Sequence, residues 1–181
     1  MALKNFAAFL LIVVFQNLSA QKILINGTEG DRPLQWIDFK GTPDNASPYF
    51  AYTAWKTNVK FSGVTFEGEK AFMKGFEMTV EFDAKSSWVK KGKETDELLK
   101  HEQGHFDVGL LYMQEVLRTI ASANFTRSGY KDEFQKLVEG IHHKYVVMGE
   151  LYDKETNHSI KKEEQAKWNA FFAEQVTRSV L

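Results

Sequence analysis

The sequence predicts an α+β fold in which a mostly antiparallel sheet is followed by about three helices. Two observations lead to this prediction. Before residue 94 the apolar residues tend to alternate with polar ones, and after it they fit the period of a helix. Strands gathered in one half and helices in the other favour helices packed on one face of a sheet. No repeat, linker or low-complexity tract interrupts the chain, so we expect one domain over residues 21–181.

The first half contains enough strand-like segments for a sheet of about four to five strands. Apolar and polar residues alternate most clearly in Met78-Thr79-Val80-Glu81-Phe82, with the period of two expected for a half-buried strand. Turn-forming residues such as those at 41–45 separate the segments. The other strand-like segments are residues 34–39, 50–55, 58–61, 63–68 and 87–89.

The second half predicts three helices. Thr95 suits the N-cap of the first, because Asp96 and Glu97 then place negative charge in its first turn. Apolar positions continue this helix to about residue 123. A second helix is predicted from residue 130 to about 148, and a third from about 160 to 176.

The first twenty residues predict a secretory signal peptide. Lys4 supplies the positive charge, residues 6–15 form an apolar run, and Ala20 is a small residue suited to the cleavage site. The apolar run is too short to span a bilayer, which takes roughly 20 residues. We therefore expect a secreted protein, periplasmic or extracellular, with no membrane anchor after cleavage.

Composition narrows the classes of function. The 181 residues carry a formal net charge of −1, so no basic excess indicates a nucleic-acid partner. There are no cysteines, and disulfides and thiolate metal sites are therefore excluded. Any metal site must use histidine, aspartate or glutamate.

The strongest chemical signal is His101-Glu102-Gln103-Gly104-His105 on the first predicted helix. Residues four apart lie on one face of a helix, so His101 and His105 can aim at one point, and zinc accepts two such imidazoles. Glu102 can then reach a metal-bound water and act as its general base. This pattern is typical of zinc metallopeptidases. An exposed helix that happens to carry two histidines is the alternative.

A catalytic zinc site usually has three protein ligands, and the sequence leaves the third one open. Val108 and Leu111 do not continue the motif with further ligands. His158, in a segment expected to be a polar loop, is the first candidate. The alternatives are Glu150, Asp153, His142 and His143.

Three further residues are weaker candidates for supporting roles near the metal. Asp107 could orient a ligand histidine or face solvent, and Tyr145 and Tyr152 could each stabilise an oxyanion or belong to the core.

The motif resembles a known family once its surroundings are included. The central pattern is Leu98-Leu99-Lys100-His101-Glu102-Gln103-Gly104-His105-Phe106-Asp107. The patterns that accompany it are Leu34-x-Trp36-x-Asp38-Phe39-x-Gly41-x-Pro43, Ser87-Trp88-Val89, Tyr152-Asp153-x-Glu155-Thr156-x-His158 and Gln165-Ala166-x-Trp168-Asn169. Together they resemble a bacterial domain-of-unknown-function family described as predicted secreted zinc-dependent proteases. The resemblance implies a zincin-like domain, a zinc cofactor, secretion and His158 as the third ligand. Ser159 departs from the pattern, where glycine is expected.

Two functions follow as expectations. The first is a secreted zinc metallopeptidase that acts on a peptide or protein substrate, with zinc held by His101, His105 and His158. The second is a non-catalytic zinc-binding envelope or interaction domain. Glu102 favours the first, because a structural zinc site does not need a carboxylate beside an open coordination position.

Overall fold

The computed structural model describes residues 20–176, and the predicted signal peptide lies almost entirely outside this range. The α+β class is confirmed: within these residues all strands except one short strand between the first two helices precede the three helices. In chain order the elements are β1 (Ala20–Ile25), β2 (Thr28–Glu29), β3 (Ala51–Tyr52), β4 (Trp55–Lys60), β5 (Gly63–Glu67), β6 (Lys70–Lys74), β7 (Glu77–Phe82), β8 (Trp88–Val89), α1 (Asp96–Ser122), β9 (Phe125–Thr126), α2 (Tyr130–Thr156) and α3 (Lys162–Gln175).

The largest sheet has four strands in the order β2-β1-β7-β4. Its central pair, β1 and β7, is parallel, whereas β4 pairs with β7 in the antiparallel sense. Along β7 the residues Met78, Val80 and Phe82 are fully buried on one face. Helix α1 packs against this face, and the ring of Phe106 meets that of Phe82 edge-on at 5.8 Å. The sheet therefore fixes the helix that carries the histidine motif.

Two smaller sheets complete the strand region. β5, β6 and β9 form an antiparallel sheet, and β3 pairs with β8 in a two-stranded one. The strand predicted over residues 34–39 is wrong, because its centre is a 3-10 turn, Trp36–Asp38. The carboxylate of Asp38 stabilises this turn by accepting a hydrogen bond from the backbone N–H of Gln35 at 2.8 Å.

The helices begin where the sequence predicts, but α2 ends later. Thr95 caps α1, and its hydroxyl accepts a hydrogen bond from the Leu98 N–H at 3.2 Å. The second helix continues to Thr156 rather than ending near residue 148. Tyr152 and Thr156, one turn apart, are both fully buried, so this polar last part of α2 still has an inner face. Asp153 thus lies on a helix and not in the loop that was expected.

The third helix, α3, packs against α1 and α2. Its Phe172 is buried, and the rings of Trp168 and Phe172 lie 5.2 and 5.4 Å from the ring of Tyr152 on α2. Within residues 20–176 no helix is both long enough and apolar enough to cross a membrane. The three helices meet around Tyr152, directly beside the histidine motif.

Candidate metal centre and its cleft

Helix α1 directs both motif histidines at one carboxylate oxygen of α2. The Nε2 atoms of His101 and His105 lie 3.1 and 3.0 Å from Oδ1 of Asp153. The side chain of His101 is 2% exposed, and that of His105 is 20% exposed. The two rings are one helical turn apart and nearly perpendicular, with centroids separated by 4.9 Å. The spacing of the motif thus brings two imidazole nitrogens to a single point.

His158 reaches the same oxygen from the loop after α2. Its Nδ1 lies 3.2 Å from Oδ1 of Asp153, and its ring packs against that of Tyr49 at 4.4 Å. The chain turns back sharply here, because Asn157, His158 and Ser159 all have positive φ angles of 48°, 51° and 74°. Glycine adopts this conformation most readily, so Ser159 occupies a position where the expected glycine would fit without strain.

The four side chains form a donor set suited to a metal ion. One ligand atom each from His101, Asp153 and His158 lies within 4.8 Å of the others, and His105 joins them through its contact with Asp153. Ligands of a tetrahedral zinc ion with bonds of about 2.0–2.1 Å lie roughly 3.3 Å apart, close to the nitrogen–oxygen distances here. The other proposed third ligands, Glu150, His142 and His143, are exposed residues of α2 outside this group.

The charge state of Asp153 suits a cation site. Burial works to raise the pKa of Asp153, but hydrogen bonds from the imidazoles of His101 and His105 outweigh it and hold the pKa well below its usual range. For His105, burial favours the neutral ring, yet the hydrogen bond to Asp153 and the charge of Glu102 raise its pKa overall. The carboxylate is therefore ionised whenever the protein is folded at neutral pH.

Glu102 lies beside the donors and is buried, with 3% of its surface exposed. The hydroxyl of Thr53 donates a hydrogen bond to its Oε2 at 2.7 Å. Burial raises the pKa of Glu102, and the nearby rings of His105 and His101 oppose this rise. A carboxylate with a raised pKa is a better proton acceptor near neutral pH.

Glu102 and all four donors line one cleft with a volume of about 340 Å³. Residues 48–53 form one wall of this cleft, and residues 158–160 contribute to the other. Tyr49, Phe50, Tyr52 and Ile160 are large apolar side chains that remain exposed at this rim, to 44%, 50%, 49% and 70%. The cleft thus joins a polar floor to an apolar rim.

A comparison with known protein families matches residues 21–159 to the family described as "Bacterial protein of unknown function (DUF922)". The chain belongs to this family. The matched range includes the four donors and Glu102, and it ends before the segment Gln165–Asn169 that the resemblance included. No curated protein and no solved structure matches the chain.

In this DUF922 chain, Gln165 and Tyr152 contact His101, although neither belongs to the histidine motif. Gln165 of α3 is buried, and its Oε1 lies 3.0 Å from Nδ1 of His101. Tyr152 donates a hydrogen bond to the carbonyl oxygen of His101 at 3.1 Å and stacks on its ring at 4.6 Å. The amide of Gln165 lies 64 residues along the chain from His101, so no local pattern could have indicated this pairing.

Gly104 of the motif has a packing role. A Cβ at this position would lie 2.6 Å from Cζ of Tyr152, too close for any real contact. Glycine therefore lets the Tyr152 ring pack against α1 next to His101. The cost of about 1 kcal/mol for glycine inside a helix is explained by this close approach.

The two tyrosines considered as oxyanion donors belong to the core instead. Tyr152 is fully buried, and Tyr145 donates its hydroxyl to Glu115 at 2.7 Å. Neither lines the cleft, whereas Tyr49 and Tyr52 do. Asp107 is also buried, and it accepts a hydrogen bond from Gln103 at 2.9 Å, so the solvent-facing alternative for it is wrong.

Proposed function

We propose that this protein is a secreted zinc-dependent peptidase in which Glu102 is the general base. The observation that supports it most is the meeting of three histidine nitrogens around one oxygen of Asp153, at 3.0 to 3.2 Å, in the cleft that also holds Glu102. Imidazole and carboxylate donors without thiolates are the ligand types of hydrolytic zinc sites. His101, His105 and His158 would hold the ion, with Asp153 beside them.

Zinc, when bound, supplies a Lewis acid that polarises a carbonyl group and makes a water molecule more acidic. The protein supplies the rest of the chemistry. Thr53 holds Oε2 of Glu102, which leaves Oε1 to accept a proton from a water molecule in the cleft. The same carboxylic acid can then return the proton to the leaving amine as the peptide bond breaks.

The cleft wall formed by β3 favours a peptide as the substrate. The N–H of Lys90 donates to the carbonyl of Phe50 at 2.8 Å, so the backbone groups of residues 50 and 52 face β8. Because backbone directions alternate along a strand, those of Ala51 and Thr53 face the opposite edge. No strand among residues 20–176 pairs with that edge. An extended peptide could add to β3 there, with its scissile bond close to Glu102.

The exposed rim favours apolar side chains in that peptide. Tyr49, Phe50, Tyr52 and Ile160 offer apolar surface on both sides of the cleft floor. Burial of such surface contributes about 25 cal/mol per Å². Substrates with aromatic or branched aliphatic residues near the scissile bond are therefore expected to bind best.

A second function is favoured by the number of donors. Three histidines and Asp153 would complete a four-coordinate shell, which is typical of structural zinc sites that leave no position for water. In that case the protein would be a non-catalytic zinc-binding envelope or interaction domain. Glu102, with its hydrogen bond from Thr53 inside an open cleft, favours the peptidase.

The Glu102→Gln variant tests the peptidase. The amide oxygen can still accept the hydrogen bond from Thr53, so fold and zinc content are expected to stay unchanged. Peptide cleavage should fall by roughly 10²–10⁴, because the amide cannot accept a proton from water. The measurements are zinc content by elemental analysis and turnover of a mixed peptide library.

Glu97→Gln, an exposed position on the same helix, is the matched control and should keep full activity. If the wild-type protein with full zinc cleaves no peptide, the non-catalytic domain is correct. If Glu102→Gln loses its zinc, Glu102 is a ligand and the proposed base is wrong.

A further inference from the structure

A chain of buried hydrogen bonds connects the three helices behind His101. Gln165 of α3 donates from Nε2 to the hydroxyl of Tyr152 at 2.7 Å and to Oδ1 of Asn169 at 2.8 Å. Its Oε1 lies 3.0 Å from Nδ1 of His101. Tyr152 in turn donates to the carbonyl oxygen of His101 at 3.1 Å. His101 is thus held through both its backbone and its ring.

The donors and acceptors of this chain can be assigned by counting protons. Tyr152 has one hydroxyl proton, which goes to the carbonyl of His101, so its oxygen must accept from Gln165. Both amide protons of Gln165 are then used on Tyr152 and Asn169. With the amide in this orientation, the remaining atom Oε1 can only accept, so Nδ1 of His101 carries the proton of this hydrogen bond.

This assignment determines which ring nitrogen of His101 can bind a metal. A neutral imidazole with its proton on Nδ1 has its lone pair on Nε2. Nε2 is the atom that faces Asp153 and the other histidines, and the proton with which it donates a hydrogen bond to Asp153 is the one that zinc would displace. The stacked ring of Tyr152, at 22° to that of His101, restricts rotation of the imidazole out of this orientation.

We propose that Gln165 is the positioning residue of the metal centre, which selects the tautomer and orientation of His101 from the third helix. The proposal rests on zinc binding by His101, as in the proposed function. The amide oxygen takes the place of the carboxylate that often orients a metal-binding histidine, and it avoids a second buried charge 3.0 Å from the ring. Helix α3 therefore belongs to the metal centre although it supplies no ligand.

Two substitutions at this position separate orientation from packing. Gln165→Met keeps a similar volume but removes the acceptor, and zinc affinity should fall about 10- to 100-fold, as is usual when such a partner is lost. Gln165→Glu keeps an acceptor for Nδ1 but loses the two hydrogen bonds that the amide donates, so it should bind zinc more weakly than wild type and clearly more tightly than Gln165→Met. Affinity is measured by competition with a chromogenic chelator.

Gln135→Met, an exposed position on α2, is the matched control and should leave zinc affinity unchanged. If Gln165→Met binds zinc as tightly as wild type, Gln165 has no positioning role. If Gln165→Glu binds as weakly as Gln165→Met, the acceptor is not what matters and the proposal is also overturned. If wild type binds no zinc, the proposed function itself fails.

A measurement on the wild-type protein applies even if the variants do not fold. Nitrogen-15 NMR of the imidazoles, in the zinc-loaded protein, should show the proton of His101 on Nδ1 and the metal on Nε2. Metal on Nδ1, or a proton on Nε2, would overturn the proposal.

Discussion

At the scale of single residues, His158 and Asp153 compete for one role. Both reach the point on which His101 and His105 converge, but His158 comes from a strained loop and Asp153 from a helix. We expect His158→Ala to weaken zinc binding by at least about 10-fold, because the shell loses an imidazole ligand. Zinc content after dialysis against a weak chelator is the measurement.

His142→Ala is the control for this experiment, because His142 is an exposed histidine of α2 outside the donor group. It should retain full zinc. Retention of stoichiometric zinc by a folded His158→Ala protein would instead assign the third ligand to Asp153.

Asp38 leads to a prediction about pH. Burial works to raise its pKa, but hydrogen bonds from Arg32, the Gln35 N–H and Asn26 outweigh burial and lower it. A carboxyl with a pKa lower in the folded than in the unfolded state stabilises the fold fully above the unfolded pKa, near 3.9. This stabilisation is lost as pH falls through the folded pKa.

Asp38→Asn should therefore lower the free energy of unfolding by about 1–3 kcal/mol at pH 7 and by less below about pH 4. Urea denaturation at several pH values measures the difference. Asp31→Asn, at an exposed neighbouring position, should show little change. If the loss of unfolding free energy in Asp38→Asn stays constant down to pH 3, packing and not charge is responsible for it.

The sequence reveals the site residues unevenly, for physical reasons. His101, Glu102 and His105 could be predicted because their chemistry depends on spacing within one helix. Asp153 was only one of several alternatives, since its polar surroundings resemble a loop and its helix is recognised mainly by the buried Tyr152 and Thr156. Gln165 belongs to one of the family-like patterns, but it could not be predicted as a partner of His101, because that role arises from the packing of α3 on α1.

At the scale of elements, the contact between α1 and α2 depends on Gly104. Alanine there would gain about 1 kcal/mol in helix propensity, but its Cβ would overlap the ring of Tyr152. Overpacking of this kind costs typically about 1–3 kcal/mol. We expect Gly104→Ala to lower the free energy of unfolding and to weaken zinc binding, because a displaced Tyr152 no longer holds His101.

Gly140→Ala on α2 is a matched control, since a Cβ there meets nothing within 4 Å. It should leave stability unchanged or raise it by up to about 1 kcal/mol. If thermal denaturation shows that Gly104→Ala gains as much stability as Gly140→Ala, Tyr152 can move without cost. The close contact between Gly104 and Tyr152 is then not essential.

At the scale of the whole molecule, the order of strands before helices was predictable, but the arrangement of the strands was not. The parallel pairing of β1 with β7 was not predicted, because β1 begins at Ala20, where the expected signal peptide ends. The two-residue strands β3 and β8 lie within the strand-like segments 50–55 and 87–89, but the sequence did not indicate that they pair with each other. β3 nevertheless forms the wall of the cleft.

The wide separation of the donors along the chain has a kinetic consequence. His101 and Asp153 are 52 residues apart, so their side chains meet only after α1 and α2 have packed together. Zinc bound at this centre would then stabilise the native state much more than the folding transition state. It should slow unfolding and leave the refolding rate nearly unchanged, and stopped-flow measurements with and without zinc can check both. A refolding rate that rises in proportion to the zinc concentration would contradict this prediction. The lifetime of the folded protein, and not the speed of its formation, is what the supply of zinc would control.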